Sequence, residues 1–232
     1  MLAKYMSRSA VLLGLFALVG TGIVAAIYTG TEERIAEAER AYMLRSLHAV
    51  IPSTMHDNDI FTDMLTVTDP DLLGTSESVP VFRARKNGEP VALAIIPVAP
   101  DGYVGPIKLL VAIAVDGTVL GVRALSHHET PGLGDAIDEK RSDWILGFNG
   151  HSLSNPEGKA WRVRRDGGQF DQFTGATITP RAVVKAVHNT LKFYERNRER
   201  LFQPLDPTDS KTNPEAAKSA PAKTHQPITE KQ

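Results

Sequence analysis

The chain contains no cysteine. That excludes disulfides, cysteine-ligated iron–sulfur clusters and cysteine-attached haem, so a redox role must rest on another bound cofactor. Nor is there a charge excess: a formal net charge of −1 leaves no electrostatic case for binding nucleic acid. Neither a Walker loop nor a GxGxxG fingerprint is present, and no internal repeat is visible. The spacings support no Ser-His-Asp or paired-carboxylate arrangement, and no resident metal site stands out. Residues 203–232 have almost no large apolar side chains. Pro, Lys, Ala and Thr dominate there, and Asp206, Asp209, Glu215 and Glu230 balance Lys211, Lys218, Lys223 and Lys231. Such a segment cannot bury enough surface to offset its ordering entropy, which predicts a disordered tail without a catalytic role.

Charge is also missing, locally, from Ala10 to Tyr28. A run of about 20 apolar residues is long enough to cross a bilayer core. Tyr5 and Tyr28 stand where interfacial aromatics are expected, Lys4 and Arg8 precede the run, and Glu32, Glu33 and Arg34 follow it. That asymmetry predicts a cytoplasmic N-terminus over 1–8, a membrane anchor over 9–29 and everything later outside the cytoplasm. Val24-Ala25-Ala26 resembles a cleavage site. The apolar run nevertheless exceeds the roughly 7–15 residues of a signal-peptide core, and a retained anchor is favoured. Ile35, Ala38, Tyr42, Leu47 and Val50 then fall loosely on one helical side up to Pro52, predicting a helical stalk over 30–52.

Beyond the stalk, residues 53–78 carry no clear long element. Asn87-Gly88 separates Val81–Lys86 from Val91–Ile96, and Asp116-Gly117 separates Ile107–Val115 from Val119–Leu125, so two hairpins are predicted. Apolar residues on both faces of the second pair imply a sheet covered on both sides. A helix is expected over Ala136–Phe148, with Ile137, Arg141, Trp144 and Ile145 at turn spacing, and a strand over Ala160–Arg165. Val184, Val187, Leu191 and Tyr194 recur at helical spacing, with Thr179 suited to the N-cap and Pro180 to the first helical position. The fold class expected is α/β (α+β): one transmembrane helix, then one compact domain with a mostly antiparallel, hairpin-rich sheet flanked by helices.

Two segments concentrate the chemistry. Asp171-Gln172-Phe173-Thr174-Gly175-Ala176-Thr177 sets small residues and hydroxyls just outside a helix N-terminus, where free N–H groups and the macrodipole favour an anion such as phosphate. Gly175 and Ala176 let a bulky ligand approach the backbone. Far upstream, His127-His128-Glu129-Thr130-Pro131-Gly132-Leu133-Gly134 is a turn-forming segment dense in Pro and Gly. Adjacent His127 and His128 point opposite ways at a strand end and read as loop histidines rather than ligands.

Together the two segments resemble the FMN-binding domain that carries flavin as a covalent phosphoester on threonine. The flanks Tyr103-Val104-Gly105, Ser142-Asp143-Trp144-Ile145 to Phe148-Asn149-Gly150, and Gly167-Gly168-Gln169-Phe170-Asp171 are similar to the G component of the Rnf-type ion-translocating electron transport complex. The C component of the sodium-translocating NADH:quinone reductase shares both motifs and is the nearest alternative. The resemblance implies an extracytoplasmic FMN-binding domain over 53–202 on a bacterial inner membrane. It implies covalent FMN on Thr177, attached by a flavin transferase, and the other membrane subunits of an electron transport complex as partners. Around the flavin it places Thr174, Gly175, Ala176 and Thr179, then Glu129, Thr130, Gly132 and Leu133. The backbone N–H groups of the Pro-Gly turn would face the isoalloxazine oxygens and Leu133 its ring. Asp171 matches the attachment motif, serving the transferase reaction or a turn. Lys159 and the Arg162, Arg164 and Arg165 cluster supply positive charge near the phosphate or stand on a solvated strand face. An electron-carrier subunit follows from this reading. A non-catalytic flavin-binding sensor or assembly module, and a soluble secreted flavoprotein released by signal cleavage, are the other classes.

Overall fold

The structure is a computed structural model and describes residues 2–203. The tail expected over 203–232 lies outside the described residues except for Gln203. The described chain divides into two units, one reaching Leu44 and one beginning at Arg45.

The first unit is most of a single helix, α1 (Leu2–Val50), the one described helix long and apolar enough to cross a membrane. Leu13, Phe16, Leu18, Val24 and Ile27 are all more than half exposed along it. Apolar surface of that extent, uncovered by protein, is what lipid accommodates. The chain is therefore compatible with a single-pass membrane protein.

The second unit is an antiparallel sheet with helical cover. Its elements are β1 (Met64–Val67), a short α2 (Pro70–Leu73), β2 (Val79–Lys86), β3 (Glu89–Ile95), β4 (Val98–Ala99), β5 (Ile107–Ala114), β6 (Val119–Ser126) and a long α3 (Ile178–Phe202). Asp69 caps α2 by accepting from the Leu72 N–H. Every strand pairing is antiparallel. The β2–β3 hairpin turns on Asn87 and Gly88, both at positive φ (52° and 82°), as its two-residue loop requires. The β5–β6 hairpin turns over residues 115–118, where Asp116 Oδ1 accepts the Thr118 N–H at 2.9 Å. β4 prolongs the line of β3 on the same edge of β5: Ile95 pairs with Val111, and Val98 with Lys108, in one continuous register. Pro97 interrupts the strand because it has no N–H to donate, yet its carbonyl still accepts from Leu109 N at 3.0 Å.

Alternation along the strands separates two buried faces. Val81, Leu93, Ile95, Leu109, Val111 and Ile113 join Val183, Val184, Val187, Leu191 and Tyr194 of α3 in one core. The opposite face carries Phe82, Ala84, Ala92, Ala94, Leu110 and Ala112, also buried. Small side chains on that face admit the last turn of α1: a Cβ on Gly121 would stand 2.9 Å from Val50 Cγ1. Arg123 ties down the same turn, donating to the Ala49 carbonyl at 3.3 Å while pairing with Glu139 at 2.7 Å.

Two expected elements are not there. Instead of one helix over Ala136–Phe148, two 3-10 turns occupy Gly134–Ile137 and Asp143–Phe148. Short polar side chains capture the backbone between them. Asp138 Oδ1 accepts from Lys140 N, and Ser142 Oγ accepts from Trp144 N. Over Ala160–Arg165 no strand forms. That segment bonds to the loop that follows it, with Arg164 N donating to Phe170 O at 2.7 Å and Gln169 N to Ala160 O at 2.9 Å. Trp161, Val163 and Phe170 still turn inward, Phe170 stacking on Phe148 at 4.8 Å between centroids. Burial is satisfied without a ladder.

Candidate functional site

The helix α3 is held at both ends, and that fixes the site. At its C-terminus, Arg83 and Arg85 of β2 reach the last carbonyls. Arg83 Nη1 donates to Gln203 O at 2.6 Å and Arg85 Nη2 to Phe202 O at 3.1 Å. Asp63 bridges both guanidinium groups, pairing with Arg83 through one oxygen and, at 2.6 Å, with Arg85 through the other. Burial pulls the Arg83 guanidinium below its ordinary range, and the Asp63 charge works against that pull. Cations at a helix C-terminus also complement its dipole.

At the N-terminus, the helix begins earlier than the spacing predicts. Its N-cap is Thr177, at φ −86° and ψ −24°, and Thr179 lies inside the first turn. Thr179 is buried, and its hydroxyl donates to the Glu129 carboxylate instead of to a phosphate. Pro180 brings no N–H, and Arg181 N donates to the Thr177 carbonyl at 3.3 Å. The first-turn donors without an intrahelical partner are therefore those of Ile178 and Thr179. Thr177's own hydroxyl makes no capping hydrogen bond. A threonine placed at an N-cap but not spent on capping is chemically available.

The two sequence segments meet here. Tyr103, Glu129, Thr130, Leu133, Gly134, Gly175, Ala176, Thr177, Ile178 and Thr179 line one cleft of about 150 Å³. That volume is below the roughly 300–1,000 Å³ of sites that enclose a whole ligand. Glu129 is the buried centre. Its Oε1 accepts from Val104 N at 3.1 Å and its Oε2 from Thr179. A Cβ on Gly134 would approach both Glu129 Oε2 and Thr179 Oγ1 to 2.9 Å, so only glycine lets the loops close this tightly. On the outside, Gly175 (φ 80°) forms the tip of the Phe173–Ala176 turn, and a Cβ there would lie 3.5 Å from Leu133 Cδ2. Leu133 itself is 44 % exposed, an apolar side chain set at the mouth.

Thr174, Gly132 and Asp171 stand further out. Thr174 and Gly132 are exposed on their turns. Asp171 pairs with Arg164 at 3.1 Å, and its carbonyl accepts from Trp144 Nε1 at 2.9 Å. It thus anchors the backbone of the motif, and Arg164 is occupied by it. Arg181, one turn into α3, is bound by both oxygens of Asp166 at 2.6 and 2.9 Å. That pair holds the Asp166 carboxyl below its usual range and pushes the guanidinium up. Both arginines are thus paired with carboxylates, whereas Lys159, Arg162 and Arg165 are exposed. In the Pro-Gly turn the N–H groups of Leu133 and Gly134 donate to the Thr130 carbonyl at 3.1 and 3.0 Å. His127 Nδ1 accepts from Glu129 N at 3.3 Å, a loop-shaping role. No metal-holding group of His, Asp and Glu occurs among the described residues.

Sequence reasoning assigned no role to Tyr103, Gly134, Ile178 or Trp144. The second glycine of Pro131-Gly132-Leu133-Gly134 and the Gly102-Tyr103-Val104-Gly105 spacing were the available signals for the first two. Trp144 stood in the Ser142-Asp143-Trp144-Ile145 run of the resemblance, and Ile178 gave no signal.

Comparison with known proteins fits this geometry. A family model for the FMN-binding domain matches residues 102–192, which contain both loops, and one for the RnfG N-terminal region matches residues 1–50. The G component of the ion-translocating oxidoreductase complex of Shewanella loihica is 52% identical over 195 residues, covering 84% of this chain and 92% of that protein. Its counterpart in Pseudomonas aeruginosa is 49% identical over 201 residues, covering 87% of this chain and 94% of its own. The crystal structure of Shewanella oneidensis NqrC is 22% identical, covers 64% of this chain and 72% of its own, and has a TM-score of 0.43. The likeness to these G components runs through most of both chains, and the N-terminal helix and the cleft-bearing domain each match a family model, so this chain belongs to the family of G components of ion-translocating oxidoreductase complexes.

Proposed function

We propose that the chain is the electron-carrier subunit of a membrane-bound complex coupling electron transfer to ion translocation, holding FMN covalently through a phosphoester on Thr177. The observation that carries the reading is the uncapped hydroxyl of Thr177, at the N-cap of α3 and on the lip of the cleft. The residues fit the group. Thr177 would supply the ester oxygen: its hydroxyl gives up a proton and attacks the flavin phosphorus of a phosphoanhydride donor brought by the flavin transferase, the donor's other phosphate leaves, and the chain gains the mass of FMN less water. The N–H groups of Ile178 and Thr179 and the helix dipole favour the one negative charge left on the diester, worth roughly 0.3–1 kcal/mol at an exposed site. Gly175 keeps the approach open, and Leu133 offers an apolar face to the ring. Thr130 lines the same cleft, and Thr174 and Gly132 stand on the exposed turns beside it. Asp171 fixes the motif for the flavin transferase. Bound FMN supplies one- or two-electron transfer, and the cleft, too small to enclose it, leaves an edge for redox partners among the other membrane subunits.

Covalency suits a carrier outside the cytoplasm, where free FMN cannot be counted on to replace what dissociates. Lys4 and Arg8 before α1's apolar run favour that placement: N-terminus in the cytoplasm, the unit from Arg45 on the periplasmic side of a bacterial inner membrane. Alone, the chain is not expected to oxidise NADH or pump ions. The test is intact-mass analysis of the protein produced with its flavin transferase. One FMN minus water is expected on the wild type and none on Thr177→Ala. A Thr177→Ala protein that stays fluorescent on a denaturing gel overturns the assignment.

A further inference from the structure

Tyr103 is 66 % exposed, yet its loop is not loose. The Glu129 carboxylate, itself only 4 % exposed, takes the N–H of the neighbouring Val104 at one oxygen and the Thr179 hydroxyl at the other. The same carboxylate crowds the glycines on both sides: a Cβ on Gly102 would stand 2.9 Å from Oε1, and one on Gly134 2.9 Å from Oε2. Three segments are therefore drawn onto one buried group: the Tyr103 loop, the Pro-Gly turn and the first turn of α3. A buried carboxylate whose oxygens are both engaged is costly to disturb. Its effect is to hold an aromatic side chain at the lip of the cleft that Leu133 also lines, with no aromatic partner among the described residues. A ring carried on an anchored loop and left unstacked is suited to a planar apolar ligand, against which offset stacking is favourable.

Resting on the covalent-flavin reading, we propose that Tyr103 is the aromatic wall against which the isoalloxazine ring stacks, and that Glu129 is a positioning residue that latches this wall to the α3 N-terminus carrying Thr177. Glu129 on this account does not act as a ligand of the flavin. Its two oxygens hold the Val104 N–H and the Thr179 hydroxyl inside the protein.

The experiment uses the whole chain, in detergent, produced with its flavin transferase. Intact mass, flavin fluorescence and the flavin absorption band are measured on wild type, Tyr103→Ala, Tyr103→Phe, Glu129→Gln and Glu129→Ala. A phenol in contact with excited isoalloxazine quenches it, so Tyr103→Ala should emit severalfold more strongly at full flavin mass. Tyr103→Phe should also emit more strongly but keep the wild-type absorption band, because the stacked wall remains. Glu129→Gln, isosteric and able to keep both hydrogen bonds, should match wild type. Glu129→Ala should carry flavin and emit like Tyr103→Ala, since the loop is unlatched. Full mass with unchanged emission in Tyr103→Ala overturns the proposal alone. A wild-type chain without added mass overturns the covalent reading and this proposal with it. If Glu129→Ala fails to fold, the Gln variant decides the latch: emission as bright as Tyr103→Ala would show that the negative charge, not the positioning, is what Glu129 contributes.

Discussion

At Thr177 the decisive property is a hydrogen bond not made. An N-cap threonine ordinarily accepts from the first turn, and losing such a cap costs about 0.5–2 kcal/mol. Here the hydroxyl is spared, so Thr177→Ala should remove flavin while leaving the melting temperature of the unmodified protein nearly unchanged. Thr174, exposed on the tight turn, is not the proposed ester oxygen; Thr174→Ala should retain flavin by intact mass, though in smaller yield. His188 makes a second residue-scale prediction. Its ring lies flat against Trp161, 5.2 Å between centroids at 4°. Burial first, and the Lys192 charge second, pull it from 6.5 to about 4. The folded protein thus keeps His188 neutral while the unfolded chain takes up a proton near pH 6.5. The stability this neutral ring contributes is present above pH 6.5 and is lost as pH falls towards 4. His188→Gln should flatten the fall in melting temperature across that window. Burial lowers His151 too, with the same sign, so part of the slope should persist in the variant.

At the scale of elements, α3 is what makes a precise site from two distant loops. Arg83, Arg85 and Asp63 fasten its C-terminus, Glu129 fastens its N-terminus, and the buried face between them lies on the sheet. Tyr194 adds a polar tie, its hydroxyl donating to Val115 O at 2.8 Å, and burial raises its pKa. Val187 sits fully buried in the middle of that face. Val187→Asp should destabilise the domain by roughly 3–5 kcal/mol, the range for an uncompensated buried charge. Chemical denaturation would show it, and a wild-type midpoint would mean that this face does not carry the packing described.

The whole molecule joins an apolar helix to an FMN-binding-type domain, and the proposed orientation rests on the charges flanking the apolar run. A reporter that works only after export, fused after Phe202, should be active; activity from a strictly cytoplasmic reporter there would reverse the orientation. N-terminal sequencing that starts after Ala26 would show cleavage instead of anchorage. Deleting residues 204–232 should leave flavin content and thermal stability nearly unchanged, because so little apolar side chain is available there to pack.

Local chemistry was enough for much of this fold. The apolar run of α1, the Asn87-Gly88 and Asp116-Gly117 hairpins and the buried stripe of α3 each announce themselves within a few residues, because periodicity and turn preference are short-range properties. The chance of a phosphate-type site before α3 was legible for the same reason. What only the tertiary structure decided depends on partners distant in the chain. Thr179 reads as a cap but is claimed by Glu129, 50 positions earlier, which leaves Thr177 as the N-cap. Ala136–Phe148 has helical spacing, yet Asp138 and Ser142 bind nearby backbone and leave only 3-10 turns. Trp161 and Val163 have strand-like alternation but find burial against Phe148 and Phe170 without joining the sheet. That the Glu129 carboxylate gathers Val104 N–H and the Thr179 hydroxyl was not legible either, because a carboxylate's partners are set by which donors the fold brings to it.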